Sequence, residues 1–119
     1  MASYPDMKDS EREVAEYLDK LGFQWKYESP VFVYDEKDRP RVWTPDFHIP
    51  KLGIFIEVCG SDRFDYEYRD KIYKKNGFFV VFVHFYKEKE KWKTFLIKRI
   101  MAIEEQRHSE VMNMINALI

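Results

Sequence analysis

The chain is poor in residues that build covalent or flexible scaffolds. Its single cysteine excludes an internal disulfide and fits a reducing compartment. Four glycines and five prolines in 119 residues are too few for a collagen-like or low-complexity chain. No charge of one sign dominates: 20 basic against 21 acidic residues leave a net charge of -1, so a polyanion site would have to come from uneven placement of charge. The longest apolar run, residues 78–85, contains His84 and is far too short to span a bilayer. Met1 leads into polar residues, which sets the expectation of no secretory leader, no membrane partner and a cytoplasmic chain. There is no Walker lysine loop and no dinucleotide glycine pattern. One cysteine and three dispersed histidines lack the spacing of a zinc site or a Cys–His nucleophile pair. What is plentiful is apolar surface, at 45% hydrophobic and 18% aromatic residues, enough for one compact domain over residues 1–119.

Gly22, Gly53, Gly60 and Gly77 each stand where one pattern stops and another starts. Residues 10–21 place Val14, Tyr17, Leu18 and Leu21 at helical spacing, with Ser10 as N-cap, Glu13 three residues on, and Gly22 at the C′ position. Residues 23–33 alternate aromatic and β-branched side chains and predict a strand interrupted or bent at Pro30. Residues 35–41 are a charged loop or hairpin turn. Residues 42–49 and 54–59 predict two strands joined through Pro50-Lys51-Leu52-Gly53. A helix over much of 61–76, carrying Phe64, Tyr68, Ile72 and Tyr73, ends at Asn76-Gly77. Residues 78–85 predict a strand buried on both faces. From 88 onward one long or two shorter helices follow, with Trp92, Leu96, Ile100, Ile103, Val111, Met114, Ile115 and Leu118 in helical register. The order is helix, three strands, helix, strand, then terminal helices, an α/β domain around a small central sheet.

The chemistry lies in residues 44–60. If residues 50–53 close an antiparallel hairpin, Ile49 pairs with Ile54, His48 with Phe55, Phe47 with Ile56 and Asp46 with Glu57. Alternation then puts Asp46, Glu57 and Cys59 on one side, the two acids roughly 5 Å apart at Cβ, with an apolar face of Phe47, Ile49, Ile54, Ile56 and Val58 opposite. Like charges in that position repel, so the pair should bind a cation, share a proton or meet a basic side chain. Hard carboxylate oxygens with a backbone carbonyl suit Mg²⁺ or Mn²⁺. The competing reading is a solvated edge whose acids are neutralised by Lys or Arg. His48 reads as a strand residue packing on Phe55 before it reads as a ligand, and His84 and His108 as structural or solvated residues.

Pro45-Asp46, ten intervening residues and Glu57-Val58-Cys59 resemble the PD-(D/E)XK, or restriction-endonuclease-like, nuclease superfamily. The likeness extends to the first helix, where Glu11 matches the motif glutamate with Glu13 as runner-up. It continues through residues 68–77 and the following strand, which are similar to the very-short-patch-repair-like branch. Coverage is about residues 10–86, leaving residues 88–119 as a C-terminal helical extension. The resemblance implies a restriction-endonuclease-like core, a small central mixed sheet flanked by helices with the terminal helix added. It further implies a DNA endonuclease of repair, recombination or restriction, acting on branched or damaged DNA among other substrates. Asp46 and Glu57, with the Val58 carbonyl, would hold Mg²⁺ or Mn²⁺, and Glu11 would complete the site. The family's lysine is Cys59 here, and a thiol cannot offset phosphate charge. Lys71 is the first substitute for it, ahead of Lys51.

Arg69, Lys74 and Lys75, interleaved with Tyr66, Tyr68 and Tyr73, are the expected nucleic-acid contacts, together with a second basic run at Lys87, Lys89, Lys91, Lys93, Lys98 and Arg99 that Glu88 and Glu90 dilute. Two alternatives stand beside the nuclease: a catalytically inactive nucleic-acid-binding module on the same fold, motivated by Cys59, and an assembly module that forms a homodimer through the apolar C-terminal helix.

Overall fold

The computed structural model describes residues 6–61, 65–87 and 91–119; Phe64, Glu88, Lys89 and Glu90 lie outside these. The chain runs α1 (Asp9–Lys20), β1 (Lys26–Tyr27), β2 (Val31–Tyr34), β3 (Pro40–Trp43), β4 (Phe47–Ile49), β5 (Ile54–Cys59), α2 (Tyr66–Lys75), β6 (Phe79–His84) and α3 (Trp92–Leu118). Four strands form a mixed sheet in the order β1-β4-β5-β6, and β2 with β3 forms a separate antiparallel ribbon. Only β5 and β6 pair in parallel, with α2 as the crossover between them.

The hairpin register is the expected one: Phe47 opposes Ile56, His48 opposes Phe55 and Ile49 opposes Ile54. Gly53 takes the left-handed turn position at φ 62°. The strands before it need correction. The stretch 23–33 is two strands in two sheets, separated at Glu28, which holds a left-handed φ of 55°, and at Pro30. The stretch 42–49 is likewise split, because the ladder of β2 with β3 ends at the Val31–Trp43 pair just before Pro45, which has no N–H to continue it. Among the described residues five strands therefore precede α2, not three.

The start of α1 also differs. Its N-cap is Lys8, not Ser10, and Glu11 at N3 reaches back to accept the Lys8 N–H at 2.9 Å. The reciprocal half of a capping box supports the first turn, which a search for a Ser or Thr cap passes over. Gly22, at φ 82°, closes the helix as expected.

Both faces of the sheet are covered. On one, Phe47, Ile49, Ile54, Ile56, Val81 and Val83 pack against Val14 and Leu18 of α1 and Trp92, Leu96, Ile100 and Ile103 of α3. On the other, Phe55 and Val80 pack against Ile72 and Tyr73 of α2 and Val31 and Val33 of the ribbon. The hairpin side bearing the acids is therefore a second core along most of its length, and the acids lie at its end. His48 belongs to this side, its ring stacked on Phe55 at 4.2 Å and 8°.

α3 is one helix of 27 residues, about 40 Å long. It covers the sheet only through Ile103, and Arg107 marks the last attachment: its guanidinium lies 4.3 Å from the Phe79 ring centroid and donates to the Leu52 and Gly53 carbonyls. Residues 108–119 are all exposed, so Val111, Met114, Ile115 and Leu118 continue the helical stripe without joining the core. Among the described residues no helix is long and apolar enough to cross a membrane.

Candidate functional site

Three acids meet where the first turn of α1, the residue before β4 and the C-terminal half of β5 come together: Glu11, Asp46 and Glu57. Residue exposure is 7% for Glu11 and 4% for Glu57. They open into a cleft of about 200 Å³ that Lys8, Thr44, Val58, Tyr66 and Arg69 also line. Its position, at the carboxyl end of β5 where the chain leaves for the α2 crossover, is where α/β sheets commonly bind ligands.

Backbone hydrogen bonds hold the cross-strand pair. The Val58 N–H donates to Asp46 Oδ2 at 2.7 Å, and the Asp46 backbone favours the charged form of Glu57. Strand alternation orients a further donor. The Cys59 carbonyl turns toward β6, accepting the Phe85 N–H at 3.0 Å, so the Val58 carbonyl, like its N–H, faces the Asp46 side. Glu11 is anchored by the Lys8 N–H and by the Tyr27 hydroxyl, which donates at 2.8 Å. Its carboxyl adds to the negative charge around Asp46.

The electrostatics follow from this crowding. Burial, followed by the neighbouring Glu57 and Glu11, pushes the Asp46 carboxyl up to about 7, although the Val58 N–H works the other way. Burial also raises Glu57, against the opposing pull of Arg69 and the Asp46 backbone. Arg69 is the basic partner of the site: its Nη1 lies 3.1 Å from Glu57 Oε2, and its guanidinium sits over the Trp43 ring at 5.2 Å.

Cys59 is fully buried beneath the cleft, its Sγ 3.8 Å from the Glu57 carbonyl. Burial pushes its thiol up to about 12, which keeps it neutral and removes it as a nucleophile or base. Lys71, the expected substitute, lies on the exposed side of α2 and does not line the cleft; the basic residues that line it are Arg69 and Lys8. Two of the three expected nucleic-acid contacts are committed elsewhere: Lys74 pairs with Asp70 at 2.9 Å, and Lys75 with Asp38 at 2.8 Å and the Asp35 carbonyl at 2.6 Å. Lys75 thereby fastens the turn of the β2–β3 ribbon to α2.

Glu11, Asp46, Glu57 and Val58 are thus brought together, and Arg69 joins them. Lys8 and Tyr27 were missed; Lys8 precedes the expected helix, and only the register of β1 against β4 brings Tyr27 near Glu11. Among the described residues no three Asp, Glu, His or Cys side chains form a ready-made cage for an ion. The donor set fits a cation that keeps most of its waters: two hard carboxylates and a carbonyl suit Mg²⁺ or Mn²⁺, which bind through one or two carboxylates rather than an all-protein shell. No family model, curated protein or solved structure matches the chain.

Proposed function

We propose that this chain is a divalent-cation-dependent phosphodiesterase acting on DNA, on a restriction-endonuclease-like core. The observation that carries the reading is the buried Asp46–Glu57 pair, backbone-bonded across β4 and β5, with Asp46 pushed up to about 7. Such crowding of acids costs stability and is retained where a positive ligand offsets it. Asp46, Glu57 and the Val58 carbonyl would hold Mg²⁺ or Mn²⁺, which would supply an activated water and charge stabilisation at the scissile phosphate. Glu11 presses its charge on the Asp46 carboxyl and is itself fixed by Tyr27 and Lys8. Cys59 takes no part in proton transfer.

The test is cleavage of linear, nicked, branched and single-stranded DNA with Mn²⁺, comparing the natural chain with Asp46→Asn and Glu57→Gln. Turnover lost in both variants supports the reading. No turnover on any substrate, with every property of Asp46→Asn unchanged, overturns it. One observation favours a second reading, a binding module without catalysis: the buried thiol in place of the family's lysine. That reading expects DNA affinity that falls with salt and no metal-dependent turnover.

A further inference from the structure

The cleft holds a guanidinium in an arrangement that static charge neutralisation does not exhaust. Arg69 rises from the first turn of α2, its side chain 30% exposed, while the Glu57 side chain it pairs with is 6% exposed. One end of the contact is thus buried and fixed, and the other has room to move. The Trp43 ring beneath the guanidinium, at 5.2 Å, offers a flat surface along which a planar cation can turn without losing all its partners. Glu57 Oε2, the atom Arg69 contacts at 3.1 Å, belongs to the carboxylate that a divalent ion would require. The ion and the guanidinium therefore compete for one group.

We infer that Arg69 is a cation-released phosphate clamp: it rests on Glu57 while the cleft lacks an ion, and it turns to the substrate phosphate once an ion takes Glu57. The inference rests on the reading in the preceding subsection and adds to it a residue and an order of events. It also explains how the site manages with Cys59. A positive group reaches the phosphate from α2 rather than from β5, and it does so only after the acids have been satisfied. Before that, Arg69 lowers the cost of burying Glu57. Afterwards the same charge is available for bidentate contact with phosphate oxygens, for which a guanidinium is shaped.

The experiment measures two affinities of the full chain for the natural sequence, Arg69→Met and Arg69→Lys. One is for Mn²⁺, followed by the electron paramagnetic resonance of the free ion. The other is for a fluorescein-labelled DNA duplex, with Ca²⁺ and with EDTA, at one salt concentration. Removing the competing guanidinium should leave Mn²⁺ binding equal or tighter. DNA affinity should fall about tenfold or more with Ca²⁺ present and change little in EDTA, where Glu57 already occupies the arginine. Arg69→Lys should recover part of the loss, because it restores charge without the planar fork. Far-UV circular dichroism checks that each variant is folded, and Arg69→Lys carries the test if Arg69→Met is not. The clamp is overturned if DNA affinity with Ca²⁺ is unchanged, as for a purely structural neutraliser, or if it falls equally with and without the ion, as for a static contact. A natural chain that takes up no Mn²⁺ sinks the parent reading and the clamp together. A chain that takes up Mn²⁺ and cleaves DNA equally well without Arg69 sinks the clamp alone.

Discussion

The Val58 N–H donates to Asp46 Oδ2 at 2.7 Å, so the carboxylate just before β4 is tied to the strand that carries Glu57. This bond extends the hairpin one step past its ladder, which ends at the Phe47–Ile56 pair. It fixes the Asp46 side chain beside two other acids. Consequences for stability and for catalysis then come from the same atoms.

Asp46 should make the protein less stable as pH rises. Its folded value, about 7, lies above the ordinary 3.8, so the folded chain binds the proton more tightly than the unfolded one. The contribution is fully present below pH ~4 and is lost as pH climbs through ~7. Asp46→Asn removes the charge while its amide oxygen can still accept from Val58. Without metal, the variant should be more stable than the natural chain by about 1–3 kcal/mol at pH 8, and the difference should vanish near pH 4. Thermal melts of both proteins across that range provide the check. Added Mn²⁺ should raise the melting temperature of the natural chain and leave that of the variant in place.

Glu11 is a positioning residue in this account. Glu11→Gln keeps an acceptor for the Lys8 N–H but removes a charge beside Asp46, so the pH at which stability falls should move toward acid. Turnover at saturating Mn²⁺ should drop about tenfold to a hundredfold. A variant with reduced turnover but an unmoved pH profile would contradict a charge effect of Glu11 on Asp46.

Cys59 should be chemically silent. A buried thiol pushed up to about 12 presents almost no thiolate at pH 8. Reaction with a disulfide reagent should be negligible until the protein is unfolded, and Cys59→Ala should leave turnover within about twofold, since the thiol makes no contact that the chemistry uses. Fast labelling of the folded chain would contradict its burial.

The long helix divides at Arg107. Removing residues 108–119 deletes no buried side chain and should cost less than about 1 kcal/mol, whereas Arg107→Ala breaks the attachment to Leu52, Gly53 and Phe79 and should cost about 1–2 kcal/mol. Light scattering of the shortened chain tests the expected homodimer: a larger mass for the full chain, reduced to one chain by the truncation, supports it, and equal masses dismiss the tail as the contact.

Strong local rules made part of this legible in the sequence. Gly53 and the alternation around it gave the β4–β5 register to the residue, and with it the shared side of Asp46 and Glu57. Gly22 and Gly77 ended α1 and α2 where the patterns predicted. Local rules misled where tertiary pairing decides. The segment before Pro30 and the segment after it look like one strand, yet β1 pairs with β4 and β2 with β3. Val111, Met114, Ile115 and Leu118 share a helical period with Trp92 and Leu96, but periodicity cannot tell where a helix outruns its sheet. In the site, Glu57 was legible because it lies on the hairpin, whereas its partner Arg69 depended on how α2 is set down on the sheet. Counting basic residues could not separate Arg69, in the cleft, from Lys71, one residue short of the next turn and facing solvent.

The central claim is that Asp46 and Glu57 together take a divalent cation, and crystals soaked in Mn²⁺ test it most directly through anomalous scattering. The account predicts one peak in the cleft, within coordination distance of an oxygen of each carboxylate, with Arg69 moved off Glu57. No peak there, with Asp46 still held by Val58 alone and Glu57 still paired to Arg69, would contradict it.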